Sequence, residues 1–328
     1  MERAGARLRR YPAVNACNPQ RLPECTLTIV LPVGSKKGKE DRSLLDYETV
    51  MNWSFPDVEA TYTKRDAMLY ALGLGYGRDP LDPAQLRFVY EKDLQVAPTY
   101  PVVLGNPGPW MADPRTGIDW VRSLHGEQGL RIYHPLPAEG TVIGKNRVVG
   151  VIDKGPGKGA LLMMERDVVD KATGRICATR TSTSFLRGDG GCGAPPAEQQ
   201  KPHALPERAP DIVHALESRP EAALIYRLSG DWNPVHADPA VAAKAGFSRP
   251  ILHGLCTFGM IGRALVATIC DGDPAALRDA GGRFSAPVYP GETITVEIWN
   301  EGASRYGFRA RVAERDVTVF NNGLAAVA

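Results

Sequence analysis

Paired cysteines, long apolar runs and a strong net charge are all missing from this 328-residue chain, and each absence removes a class of function. The six cysteines, Cys17, Cys25, Cys177, Cys192, Cys256 and Cys270, form no C-x-x-C pair and show none of the spacings of a zinc site or a secreted disulfide framework. A reducing compartment is the simpler expectation. A formal charge of +2 leaves no electrostatic footprint for nucleic acid. What basic excess exists lies in residues 1–42, with nine Lys and Arg against four Asp and Glu, so the remainder holds 30 against 33. The most apolar stretch near the start, Thr26–Val33, is short and broken by Pro32, too weak for a membrane span or a signal core. Residues 1–43 lack periodicity and read as a basic leader, either transit-like or a start-site extension. The final Ala-Val-Ala328 is no Ser-Lys-Leu-like address, so a cytoplasmic location is expected.

Gly and Pro, by contrast, are concentrated where they divide the chain. Residues 188–210 contain nine of them in 23 positions, a linker composition that separates residues 44–187 from residues 207–328, with 188–206 as the linker proper. Short β-like runs at 147–153, 160–169, 175–186, 292–299 and 306–313 flank it. One helix stands out, 254–270, apolar on every side and therefore expected to be buried. A buried helix wrapped by a curved antiparallel sheet accommodates this pattern in each half. The halves also echo each other. Met68–Gly73 aligns with Leu224–Ser229 at an offset of 156, and Pro135–Thr141 with Pro287–Thr293 at 152. The first offset sets Gly75, Gly77 and Pro80 opposite Asp231, Asn233 and His236.

Those last three residues carry the most chemistry. In Tyr226–His236, three complementary polar side chains fall within six residues, in a turn set by Gly230 and Pro234. A purely structural use is available for each: Asp231 as a cap, Asn233 as an Asn-Pro turn residue, His236 as a packing histidine. The segment that follows, Gly246–Thr257, favours chemistry, because its His-Gly pair opens the apolar helix. The Gly254 amide then lies at a helix N-terminus, where unpaired N–H groups and the helix dipole favour developing negative charge. An acid/base pair beside an oxyanion donor is what addition of water to a conjugated thioester requires. The run Gly188–Gly193 matches G-x-G-x-x-G, but Ala-Pro-Pro follows it instead of a helix, which removes the mechanism for holding a pyrophosphate.

The runs LSGDWNPVH (228–236) and PILHGLCTFG (250–259) resemble the signature of the hydratase-2 branch of the MaoC-like hydratases, which includes the hydratase part of peroxisomal multifunctional enzyme type 2. YALGLG (70–75), LHGEQ (124–128) and the paired PLP and PVYPG turns extend the likeness over most of residues 44–325. The resemblance implies an α+β double hotdog fold and reversible hydration of trans-2-enoyl-CoA, of medium to long chain, to (3R)-3-hydroxyacyl-CoA. It makes Asp231 and His236 the residues that hold and activate water, Asn233 a polar contact at the reacting centre and Gly254 N–H the donor to the thioester oxygen. The first half, without the motif, is expected to accommodate the acyl tail, with Val102, Val103 and Leu104 on or near its central helix. Arg249 and His125 are further candidates for substrate contact, one through a CoA phosphate, the other through its place in LHGEQ. The expected partner is acyl-CoA, with no cofactor, metal, nucleic acid or membrane span, and with a homodimer allowed. The competing readings are a hotdog thioesterase, since fold alone never decides activity, and a catalytically silent acyl-CoA binding protein.

Overall fold

The computed structural model describes residues 45–328; the leader expected at 1–43 lies outside them. Five strands precede the linker: β1 (Val58–Tyr62), β2 (Ser123–Ile132), β3 (Gly140–Asp153), β4 (Ala160–Asp170) and β5 (Ile176–Leu186). Five follow it: β6 (Ile212–Glu217), β7 (Leu277–Phe284), β8 (Thr293–Gly302), β9 (Arg305–Val312) and β10 (Val317–Val327). Together they make one antiparallel sheet in the order β1-β3-β4-β5-β2-β7-β10-β9-β8-β6. The second half of that order repeats the first in reverse, so the two halves are related by a pseudo-twofold axis between β2 and β7. This is the double hotdog arrangement. Glu127 pairs with Arg283 at 2.6 Å at one end of the β2–β7 seam and Arg131 with Asp279 at 3.1 Å at the other. Residues 187–211, between β5 and β6, contain no helix or strand.

The helices are α1 (Tyr47–Met51), α2 (Lys64–Gly73), α3 (Pro83–Leu86), α4 (Ala222–Tyr226), α5 (Pro239–Lys244) and α6 (Gly254–Thr268). As its all-round apolar pattern requires, α6 is buried, with Cys256, Phe258, Met260, Ile261, Ala264 and Leu265 at or below 1% exposure. Gly259 and Gly262 on this helix admit close approach from the first half. A Cβ at Gly259 would lie 2.5 Å from Leu74, and one at Gly262 2.4 Å from Thr99.

The first half departs from the expectation of a second central helix. Val102 and Val103 lie in a single 3-10 turn, Tyr100–Val103, and Leu104 leaves it in extended conformation. The offset of 156 sets Gly254 opposite Pro98, so the stretch corresponding to α6 begins Pro98-Thr-Tyr-Pro101 and continues through Gly105, Pro107, Gly108 and Pro109. Proline removes helical N–H donors and clashes with the preceding turn, and no α-helix survives that density of it. The backbone carbonyls left without helical donors are met from the sheet: the buried Arg166 of β4 donates to Leu104 O at 2.8 Å and Val102 O at 3.4 Å.

Candidate active site

Between α4 and α6 the chain makes two tight turns that set out the predicted residues. Gly230, at φ +112°, ends a 3-10 turn in a backbone conformation that favours glycine. Asp231 Oδ1 accepts the Asn233 N–H at 3.1 Å, and Asn233 Oδ1 accepts the Val235 N–H at 3.1 Å, capping the 3-10 turn Pro234–His236. The capping use of both side chains is therefore real. It coexists with the functional one: each carboxylate or amide keeps a second group exposed, the Asp231 carboxylate oxygen and the Asn233 NH₂.

His236 is buried, and its Nδ1 donates to the Ile251 carbonyl at 2.9 Å. A carbonyl only accepts, so the neutral ring carries its proton on Nδ1 and presents a bare Nε2. Next to it stands a residue that the sequence reading passed over except as the partner of Gly254. The His253 ring stacks on His236 with centroids 3.7 Å apart and planes inclined by 26°. Its Nε2 donates to the Asp231 carbonyl at 3.2 Å, while its Nδ1 is buried without a partner. Asp231, His236 and His253 bring polar atoms within 4.8 Å of one another. Such a set invites a metal, but two ring planes this close to parallel meet far beyond the roughly 2.0–2.1 Å reach of a metal–nitrogen bond, so a shared ion requires the rings to rotate. As it stands the geometry suits proton transfer.

Burial holds both imidazoles neutral. For His236 it lowers the pKa below 6.5, against smaller opposing effects of the Ile251 carbonyl and the Asp231 charge. For His253 burial, followed by the neighbouring His236, brings it down to about 4. Because the base is the neutral ring, turnover is expected to persist down to the ordinary histidine value, with the acid limb of kcat/KM centred below 6.5. A limb at or above that value would mean that the site stabilises the imidazolium, contrary to this assignment.

His253 is the N-cap residue of α6 and Gly254 its first helical residue. The Thr257 N–H bonds to His253 O at 3.1 Å, so the Gly254 amide belongs to the unbonded first turn. Phe284 of β7 covers it: a Cβ at Gly254 would lie 3.3 Å from that ring. His125, on β2 at a bulge, packs against Phe284 at 4.9 Å between centroids. The structure thus brings His125 to the edge of the site. Its Nε2 is buried without a partner, and burial depresses its pKa to about 3, so it too is neutral. Arg249 is exposed in the loop before α6 with its guanidinium over Tyr289 at 5.1 Å. Val102 and Leu104 belong to the buried core that spans both halves, with Val103 packed against it, and none of the three is part of the catalytic cluster.

In the first half the equivalent place is filled differently. Gly75 adopts φ +83°, and Arg263 of α6 presses against it, its guanidinium donating to Leu74 O at 3.2 Å and Gln85 Oε1 at 3.1 Å. Neither Gly75, Gly77 nor Pro80 can transfer a proton.

The chain is similar to known proteins over both halves. Residues 200–322 match the MaoC like domain and residues 60–188 the MFE-2 hydratase 2 N-terminal domain. The chain is 39% identical to enoyl-CoA hydratase 2, peroxisomal, of Arabidopsis thaliana, over 80% of its own length and 90% of the relative's. It is 41% identical to 3-hydroxyacyl-thioester dehydratase Y of Mycobacterium tuberculosis, over 78% and 88%. Among solved structures, a MaoC-like dehydratase from Phytophthora capsici superposes with a TM-score of 0.73 at 34% identity, covering 86% of this chain and 98% of that one. With both halves matched in order and relatives aligned over most of their length, the chain belongs to the MaoC-like hydratase 2 family.

Proposed function

We propose that this protein adds water across the double bond of trans-2-enoyl-CoA thioesters, giving (3R)-3-hydroxyacyl-CoA, and runs the reverse dehydration by the same steps. The observation that carries this reading is the bare Nε2 of a neutral His236 beside the Asp231 carboxylate, next to the unbonded first turn of α6. Water held between Asp231 and His236 loses a proton to Nε2 as its oxygen bonds to C3. The electron pair of the double bond moves toward the thioester carbonyl, whose oxygen the Gly254 N–H stabilises. The imidazolium formed is a strong acid in this buried setting and returns the proton to C2, so that H and OH of one water are added and the base is regenerated. In this reading the Asn233 NH₂ is a further donor at the reacting centre, and the exposed Arg249 is the candidate for a CoA phosphate. The four described cysteines, Cys177, Cys192, Cys256 and Cys270, are free. Among the described residues no helix is long and apolar enough to cross a membrane.

Asp231, His236 and Gly254 all belong to the second half, so the first half is free to receive the acyl tail where its helix has been reduced to a turn. Loss of enoyl absorbance over a series of chain lengths tests the reaction, and coupling to an (S)-specific 3-hydroxyacyl-CoA dehydrogenase tests the stereochemistry. Hydration with no coupled NADH is expected. Release of thiol from saturated acyl-CoA with enoyl absorbance unchanged would establish a thioesterase instead. In the same assay Val103→Trp, at a partly buried position of the 3-10 turn, is expected to impair long substrates while sparing crotonyl-CoA. Equal losses at every length in a folded variant would assign the first half a supporting role only.

A further inference from the structure

The core face of the first half is apolar at both ends and cationic in the middle. Val168 and Ala178 belong to one apolar cluster, Leu162 and Leu186 to another. Between them, opposite each other in register on β4 and β5, lie Arg166 and Arg180. Residues directly opposite share a face, and the alternation with Val168 and Ala178, both fully buried, turns that face inward. Buried charges are ordinarily paired, because transfer from water costs several kcal/mol per ion. Among the described residues neither arginine has a carboxylate within salt-bridge distance.

Their hydrogen bonds divide them. Arg166 has a structural use: Nε donates to Asn146 Oδ1 at 3.0 Å and Nη1 to the Val102 and Leu104 carbonyls. Arg180 has one protein acceptor, Gln128 Oε1, 3.1 Å from its Nε. The two terminal nitrogens of its guanidinium, which carry four of the five N–H donors, have none. Burial lowers both arginines, Arg166 to about 9 and Arg180 to about 10, so both remain cationic at neutral pH. Arg180 is half-buried, whereas Arg166 beside it is buried. Two walls of the active site lie within its electrostatic reach. One is Tyr226, whose ring packs 5.1 Å from His253; the other is His125, which lies against the Phe284 that covers Gly254. The Gln128 that holds Arg180 lies on β2, three residues from His125 on the same strand.

We propose that Arg180, held by Gln128 and backed by Arg166, is a subsite for an oxygen anion carried on the acyl group, so that the favoured substrates are 2-enoyl-CoA thioesters with a carboxylate on the acyl chain. The proposal rests on the hydratase reading above and narrows its substrate class. Terminal guanidinium nitrogens without a protein acceptor gain charge-assisted hydrogen bonds from a carboxylate, whereas a plain alkyl chain leaves them unpaired.

The test compares trans-2-enoyl-CoA substrates with their ω-carboxylate counterparts, such as 2-decenoyl-CoA against 2-decenedioyl-CoA, over a series of lengths. The wild type is expected to favour the carboxylate form in kcat/KM by at least about tenfold at the best length, the size of one charge-assisted bond. Arg180→Met is expected to collapse that ratio to about one and Arg180→Lys to keep part of it, with melting curves confirming that both fold. Equal or better use of the alkyl form at every length overturns the proposal. So does an Arg180→Met variant that loses affinity equally for all acyl-CoAs and for CoA itself, since the cation then serves the CoA phosphates. Equilibrium binding of saturated decanedioyl-CoA against decanoyl-CoA reads the subsite without turnover. A carboxylate preference there supports it even if no enoyl-CoA is hydrated, and its absence sinks it.

Discussion

Asp231→Asn and His236→Ala are each expected to slow hydration of an enoyl-CoA by about 10²–10⁴-fold, the range typical of a positioned acid or base. The substitution at Asp231 is the more informative. Its Oδ1 already serves the turn by accepting the Asn233 N–H at 3.1 Å, and an asparagine keeps that oxygen while removing the negative charge. The loop should therefore stay in place, and the lost rate reports the carboxylate's part in holding and polarising water. At His236 the loss is of the base itself, together with the ring on which His253 stacks and the donor to Ile251 O. If both residues act on one water, the double variant should be little slower than the slower single one, because removing either already disables the unit. Rates measured on folded variants decide this. A near-normal rate for Asp231→Asn would remove the assignment, and multiplicative losses would separate the two residues into independent steps.

Gly254→Pro is expected to lower kcat by about 10²–10³-fold, the cost of losing one oxyanion donor. A backbone N–H cannot ordinarily be deleted by mutation without disturbing the backbone, but this position permits it. Gly254 is the first residue of α6, where proline is tolerated because its missing N–H has no helical acceptor to lose. The preceding His253 already sits at φ −59° and ψ 137°, within the extended region that a residue before proline prefers. Proline also brings a Cβ to 3.3 Å from the Phe284 ring, so Gly254→Ala, which adds the same atom and keeps the N–H, is the reference. The Pro/Ala ratio then isolates the donor. Equal rates for the two would show that the thioester oxygen is held elsewhere.

Much of this was written locally. LSGDWNPVH and PILHGLCTFG lie within 32 residues of each other, and their roles follow from residue types set at fixed spacing on one turn and one helix start. The strand runs at 160–169 and 175–186 coincide with β4 and β5 to within a residue, because both are short runs rich in apolar or β-branched residues, separated by a turn at Lys171–Gly174. The first half's missing helix was also legible, in Pro98, Pro101, Pro107 and Pro109, but symmetry with the second half suggested a helix where local proline chemistry forbids one. Here the local rule prevailed.

What the sequence by itself determined is therefore the family, the duplicated plan and the chemical groups of the second half, since each is a property of residues close together in the chain. His253 was visible beside Gly254, yet nothing in its neighbourhood shows that its ring lies on His236, 17 residues earlier. That stacking exists only because the loop after α4 and the start of α6 are folded against each other. The same holds for His125 against Phe284, which are brought together by the β2–β7 seam, and for Arg166 beside Arg180, which share a face only once β4 and β5 are in register. Register and burial are long-range quantities, set by which apolar faces must leave water together. Only the tertiary structure could decide that a pair of ordinary-looking arginines, one buried and one half-buried, share the core face of the first half with no carboxylate partner among the described residues.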